Sequence, residues 1–251
     1  PIELPFAAMQ EVNVDAILAA DGKLTAKVHY ALRGDNELLL RVAFHQTPND
    51  KWKDLAQLLS ISDGFRGKVV NVSASDPSST RGPFTVDYEI AMPKFVDWSK
   101  KPVRIPALLP QVGLPDLPLK TNLGAAVSAI ELGTPLDVKT HATLALPADT
   151  TAHAPTGTSV ERDYATFSSQ YAAVPAGPTS PNASSNTSGK ITASRHIRFL
   201  LREIPASRVG DYKAFLHAVQ NDEAQDFTLE RAAKPEEKDS APKKTKTSMR
   251  P

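Results

Sequence analysis

Six histidines, no cysteine and a scatter of serines and carboxylates are the side chains of this sequence that could do chemistry. His29, His45, His141, His153, His196 and His217 are each isolated. None falls in the H-x-H, H-x-x-x-H or H-E-x-x-H spacing that sets two imidazoles on one face for a metal ion. Each reads as a surface or strand-edge histidine. The lack of cysteine removes thiolate nucleophiles, thiolate metal sites and disulfides from this chain. Serine hydrolase chemistry needs a nucleophile on a sharp G-x-S-x-G turn. Gly157-Thr158-Ser159-Val160-Glu161 comes nearest and lacks the last glycine. A phosphate loop needs four residues between its glycines and a hydroxyl after the lysine. Gly64-Phe65-Arg66-Gly67-Lys68-Val69 has neither. The expectation is a chain with no catalytic, cofactor-binding or metal-ligating residues and no bound cofactor.

One pair of side chains could recognise a ligand. In Phe95-Val96-Asp97-Trp98 a carboxylate stands beside an indole, a combination that can hydrogen-bond and stack a sugar or a peptide. Asp97 and Trp98 are the candidate interaction residues, set against the plainer reading of Trp98 as a core anchor. Arg33-Gly34-Asp35 spells an adhesion tripeptide, but a Gly-Asp break between strand and helix accounts for it, with Asp35 as helix cap. Asn71-Val72-Ser73, Asn182-Ala183-Ser184 and Asn186-Thr187-Ser188 match the glycosylation pattern, which is too short to decide anything.

The elements that would position these residues follow from periodicity. Val12, Val14, Ala16 and Leu18 alternate with polar residues, Asp21-Gly22 turns the chain, and Leu24, Ala26, Val28 and Tyr30 resume the alternation. A helix is predicted from Asp35 to Phe44. A second starts at Thr47-Pro48, with Thr47 as cap and Trp52, Leu55, Leu58 and Leu59 as its buried stripe, and stops at Asp63-Gly64. Strands are expected near 68–75 and 84–90. Five prolines between 102 and 118 forbid a helix and predict an extended crossing segment. Beyond it, strands are predicted at 136–146, 159–167 and 191–201, with a polar run at 174–189 that reads as a flexible loop between paired strands. Val209, Tyr212, Phe215, Leu216 and Val219 recur at helical spacing and predict a helix over 205–222.

These elements give a mainly β fold with some α (α+β), built from antiparallel β-sandwich-like lobes. Two short helices belong to the first lobe and one closing helix to the second. The expected organisation is an N-terminal lobe at 1–101, a proline-rich crossing segment at 102–126, a second lobe at 127–229, and a disordered tail or linker at 230–251. Whether the lobes share a sheet is left open by the pattern.

The 251 residues are 41% hydrophobic with no run long enough to span a membrane as a helix. Of the 29 basic residues seven lie in the last 22 positions, which leaves the body slightly acidic. A nucleic-acid partner is therefore not expected, since it would need a basic face on the body. The chain opens at Pro1 without a basic-then-apolar leader and is expected to be a fragment of a longer protein.

Several phrases in order resemble a known family. They are 32–41 (Leu32 to Arg41), Trp52-Lys53-Asp54-Leu55, Ser62-Asp63-Gly64-Phe65-Arg66-Gly67, Ala74-Ser75-Asp76-Pro77 and Phe95-Val96-Asp97-Trp98, followed by 131–136, Arg162-Asp163-Tyr164 and 201–208. Together they resemble the region C-terminal to the catalytic core of bacterial transglutaminase-like proteins that carry an N-terminal domain of unknown function. The resemblance implies a non-catalytic accessory module of an exported, multidomain protein, periplasmic or extracellular. It would brace or present a cysteine-dependent core in the same parent chain. The alternatives are a β-sandwich module for peptide or cell-wall glycan and, remotely, a hydrolase with an unrecognised triad.

Overall fold

A computed structural model describes residues 7–117, 129–175 and 189–231. The chain begins with the predicted hairpin, β1 (Met9–Leu18) and β2 (Leu24–Arg33), paired antiparallel with Val14 opposite Val28. Its turn demands Gly22, whose φ of 86° places it in the left-handed region that glycine enters freely. Helix α1 (Asp35–Gln46) follows. Its cap is Gly34 rather than Asp35: the Gly34 N–H donates to the Glu37 carboxylate at 3.2 Å, while Asp35 accepts a hydrogen bond from the Thr134 hydroxyl. Thr47 closes α1 instead of opening the next helix, and a short 3-10 turn leads into α2 (Trp52–Ser62). Trp52, Leu55 and Leu59 face the core as the spacing predicts, but Leu58 is exposed and Ala56 and Ser60 are buried in its place. The helix stops at Asp63-Gly64 as expected.

β3 (Lys68–Ala74) and β4 (Phe84–Met92) extend the sheet on the far side of β2. The crossing segment contributes β5 (Val103–Pro106) and then runs without regular structure to the end of the described stretch. The short β6 (Ile130–Glu131) precedes β7 (Leu136–Ala145), β8 (Thr150–His153) and β9 (Ser159–Glu161). The strand expected at 159–167 is broken at Arg162-Asp163-Tyr164, where the chain folds back from β9 into β10 (Ala165–Val174). β11 (Lys190–Phe199) pairs with β10 antiparallel, as expected for strands flanking the 174–189 run. Residues 176–188 of that run, 118–128 of the crossing segment and 232–251 of the predicted tail lie outside the described residues. The chain closes with β12 (Glu203–Ile204), α3 (Val209–Glu223) and β13 (Asp226–Arg231). Glu230 and Arg231, assigned to the tail by composition, thus complete a strand.

The sheet answers the question that periodicity left open. Eight strands run in the order β3-β4-β2-β1-β7-β11-β10-β9, so strands from both halves of the chain share one sheet. The halves meet at the parallel pair β1–β7, with Val14 level with Ala142, in a sheet that is otherwise antiparallel. One face of the sheet is buried. Helices α1 and α2, the crossing segment and a three-stranded sheet β5-β13-β8 cover its first part, joining Phe44, Phe65, Ile105, Phe227 and Leu229 to Val14, Val28 and Val86. Helix α3 covers the second part, with Tyr212, Phe215 and Val219 against Tyr164, Phe167 and Ile197. The protein is thus mainly β in a sandwich-like arrangement, with three α-helices among the described residues.

The other face is polar. Register puts Asp87, His29, Asn13, His141, Ser194 and Gln170 in one row across six strands.

Candidate functional site

Of the three carboxylates buried among the described residues, Glu37, Asp63 and Asp222, the last two are gripped by groups from distant elements. Asp63, at the C-terminus of α2, accepts hydrogen bonds from the phenols of Tyr30 at 2.5 Å and Tyr88 at 2.9 Å. Tyr30 and Tyr88 face inward because they occupy the buried parity of β2 and β4. Burial raises the Asp63 pKa to about 6 against the opposing pull of the two phenol hydrogen bonds. Burial also lifts both tyrosines well above their ordinary value.

Asp222 is fully buried at the end of α3. Arg195 donates to it from β11 at 2.9 Å, Tyr171 from β10 at 2.7 Å, and the Ser169 hydroxyl completes the set. A second guanidinium nitrogen of Arg195 donates to the Tyr171 hydroxyl at 3.2 Å and to the Asp222 carbonyl at 3.3 Å. Burial pushes the Tyr171 phenol up to about 12. The Ser169 hydroxyl is itself buried, accepting the Thr158 N–H at 2.8 Å and donating its proton to Asp222.

Between these two clusters lies a cleft of about 880 Å³. Its first wall is the connection after α2 and the end of β4, carrying Asp63, Arg66 and Lys94. The second is the Arg195 and Glu223 side, with Asp226 at the start of β13. The crossing segment is the floor, and it is stitched to both walls by consecutive residues. The Gln111 N–H donates to the Asp63 carbonyl at 3.3 Å, and the Val112 N–H to the Glu223 carboxylate at 2.5 Å. Glu223 is held above the usual carboxylate range by burial. Leu108, in the floor, has a φ of 57°, a conformation that costs a non-glycine residue roughly 1–2 kcal/mol. Burial of Ala107, Leu108 and Leu109 holds it there.

The structure places the candidate interaction pair outside this cleft. Asp97 is exposed and accepts the Ser99 N–H at 3.0 Å and the Ser99 hydroxyl at 2.7 Å, which lower its pKa. Trp98 is half-buried against the first core, and the Arg231 guanidinium lies 5.0 Å from its ring centre. Arg231 also donates to the Ala20 carbonyl at 3.0 Å, so Trp98 and β13 both hold the β1–β2 turn. The indole N–H is buried without a hydrogen-bond partner among the described residues.

The histidines are dispersed. His29 pairs with Asp87 at 2.7 Å and His196 with Asp137 at 2.9 Å, both on the polar sheet face. Among the described residues no group of three or more histidines and carboxylates could hold a metal ion. Several of the short phrases quoted above are joints between elements. Arg41 donates to the carbonyls of Asp76 and Gly82, and Arg208 pairs with Asp163 at 2.7 Å. Asn71 sits in β3, while Asn182 and Asn186 lie outside the described residues.

The cleft groups were missed by motif reading, yet two leave a trace. Asp222 falls three residues beyond Val219 on the apolar stripe of α3, and Arg195 takes an inward position between Ala193 and Ile197. A charge on an apolar stripe is the sequence mark of a buried ion pair. Asp63 leaves none, because a helix-stopping Asp-Gly explains itself locally.

The chain was compared with protein-family models, curated proteins and solved structures, and none of them matches it.

Proposed function

We propose that the protein is a non-catalytic binding module that takes an extended peptide segment into the cleft between Asp63 and Glu223. The observation that carries this reading is a large concavity whose buried polar groups are already committed to structure. Asp63 is held by two phenols, Arg195 by Asp222, and Glu223 by the floor. Such groups shape a site, whereas a general acid or base must be poised to exchange a proton with a substrate. Volume also favours a ligand of several residues, since about 880 Å³ lies toward the upper end of small-molecule pockets.

The resemblance to the region after transglutaminase-like cores supplies a natural source for that segment: the core or linker of one parent protein. On that reading the module braces or presents the core in an exported protein, in the periplasm or outside the cell. Support for this parentage comes from the sequence phrases alone.

The test is selection of displayed random peptides on the intact chain, with Gln111→Trp as counter-selection. Gln111 is exposed on the cleft rim, so an indole there obstructs the cleft without entering the core. Peptides that bind the native chain and are lost to the variant are expected. Peptides indifferent to Gln111→Trp would overturn the cleft as the site, and labelling by a serine-reactive probe would overturn the non-catalytic reading.

A further inference from the structure

The exposed side chains of the two walls carry opposite charge, the Asp63 carboxylate of the first wall being buried beneath two phenols. On the first, Arg66 and Lys94 are exposed and have no ion-pair partner among the described residues. Both lie beyond the end of the β3–β4 ladder, whose last pair is Lys68 and Ala91, and both line the cleft. On the second wall the cation is cancelled, since Arg195 is spent on Asp222. What remains is acidic: Glu223, and Asp226, which is exposed and without an ion-pair partner among the described residues. Between them the floor and sides are apolar, with Phe65, Met92, Phe95, Ala107, Leu108 and Leu109.

From this arrangement we infer that the ligand is an extended peptide with an acidic group at one end, apolar residues in its middle and a basic group at the other. The inference rests on the reading of the cleft as a peptide site and deepens it. The acidic end meets Arg66 and Lys94, and the basic end meets Asp226 and the outer oxygen of Glu223. Uniformly charged polymers are disfavoured, because each sign is repelled by one wall. A neutral glycan leaves both walls unpaired. Opposed charges also fix which way the peptide runs, since reversing it sets like charges against each other.

The test uses the intact chain and four blocked hexapeptides sharing one apolar middle. Their ends are acidic and basic, both acidic, both basic, or both neutral. Binding is measured by calorimetry at low and high salt, on native protein, Arg66→Glu/Lys94→Glu, Asp226→Lys and Gln111→Trp. The expected result is tightest binding of the acid–base peptide, weakened about tenfold or more by either charge reversal and by salt, and abolished by Gln111→Trp. Equal binding of the neutral peptide, still abolished by Gln111→Trp, would overturn the charge inference and leave the cleft reading standing. Failure of all four peptides to bind, or binding that Gln111→Trp does not affect, would overturn both. The charge-reversed residues are exposed, so thermal midpoints near the native value are expected and confirm that the variants fold.

Discussion

At the scale of single residues, the molecule is held by polar pins set into apolar surroundings. Asp63 is one whose behaviour with pH follows from its burial. Its folded pKa, about 6, lies above the ordinary carboxylate value. A raised pKa contributes stability that is present at low pH and lost as pH rises through the folded value. Between about pH 4 and 6 this group alone should therefore withdraw roughly 3 kcal/mol. Asp63→Asn keeps an oxygen for the two phenols and cannot ionise. We predict that urea midpoints of native and Asp63→Asn proteins, compared from pH 4 to 7.5, diverge in favour of the variant as pH rises. A constant offset would mean that Asp63 ionises in the fold as it does in water. Exposed carboxylates such as Asp97, whose pKa is lowered, act in the opposite sense, which is why the difference between the proteins is the quantity to read. The second pin behaves differently. Removing Arg195 strips the fully buried Asp222 of its ion-pair partner, so Arg195→Met should cost about 3–5 kcal/mol. Adding Asp222→Leu should recover a large share, and an additive double mutant would contradict the pairing.

At the scale of elements, legibility followed the range of the interaction that decides each feature. The β1–β2 hairpin, α2 and α3 could be read because their alternation or helical spacing is local. Misplaced helix ends have equally local causes: Gly34 replaced Asp35 as the cap because the Glu37 side chain supplies the acceptor. β13 and the cleft could not be read, since both depend on partners far away in sequence, such as Pro106 opposite Asp226. The parallel β1–β7 pair is of the same kind. Turn geometry allows a graded prediction. A methyl at Gly22 would stand 2.2 Å from the Val96 carbonyl oxygen, on a backbone with φ of 86°. At Gly133 the φ is similar but nothing lies within 4 Å, and at Gly82 there is open space and no positive φ. Alanine should therefore cost more than about 2 kcal/mol at Gly22, about 1 at Gly133 and close to nothing at Gly82. Chemical denaturation of the three variants would show a different order if the Val96 contact were loose.

For the whole molecule, one continuous sheet carries both halves of the chain and leaves its polar face open to solvent, while the cleft opens on the covered side. The crossing segment links these facts. It runs between the halves, gives one amide to each cleft wall and holds Leu108 in a costly conformation. Occupancy of the cleft should therefore be felt along the segment. Amide hydrogen exchange on the intact chain, with and without a peptide from the selection, tests this most directly. Slowed exchange is expected at 63–66, 92–95 and 106–112, with the outer-face strand residues around His29 and His141 unchanged. Protection confined to the polar sheet face, with none at 106–112, would contradict it and move the binding surface to the other side of the molecule.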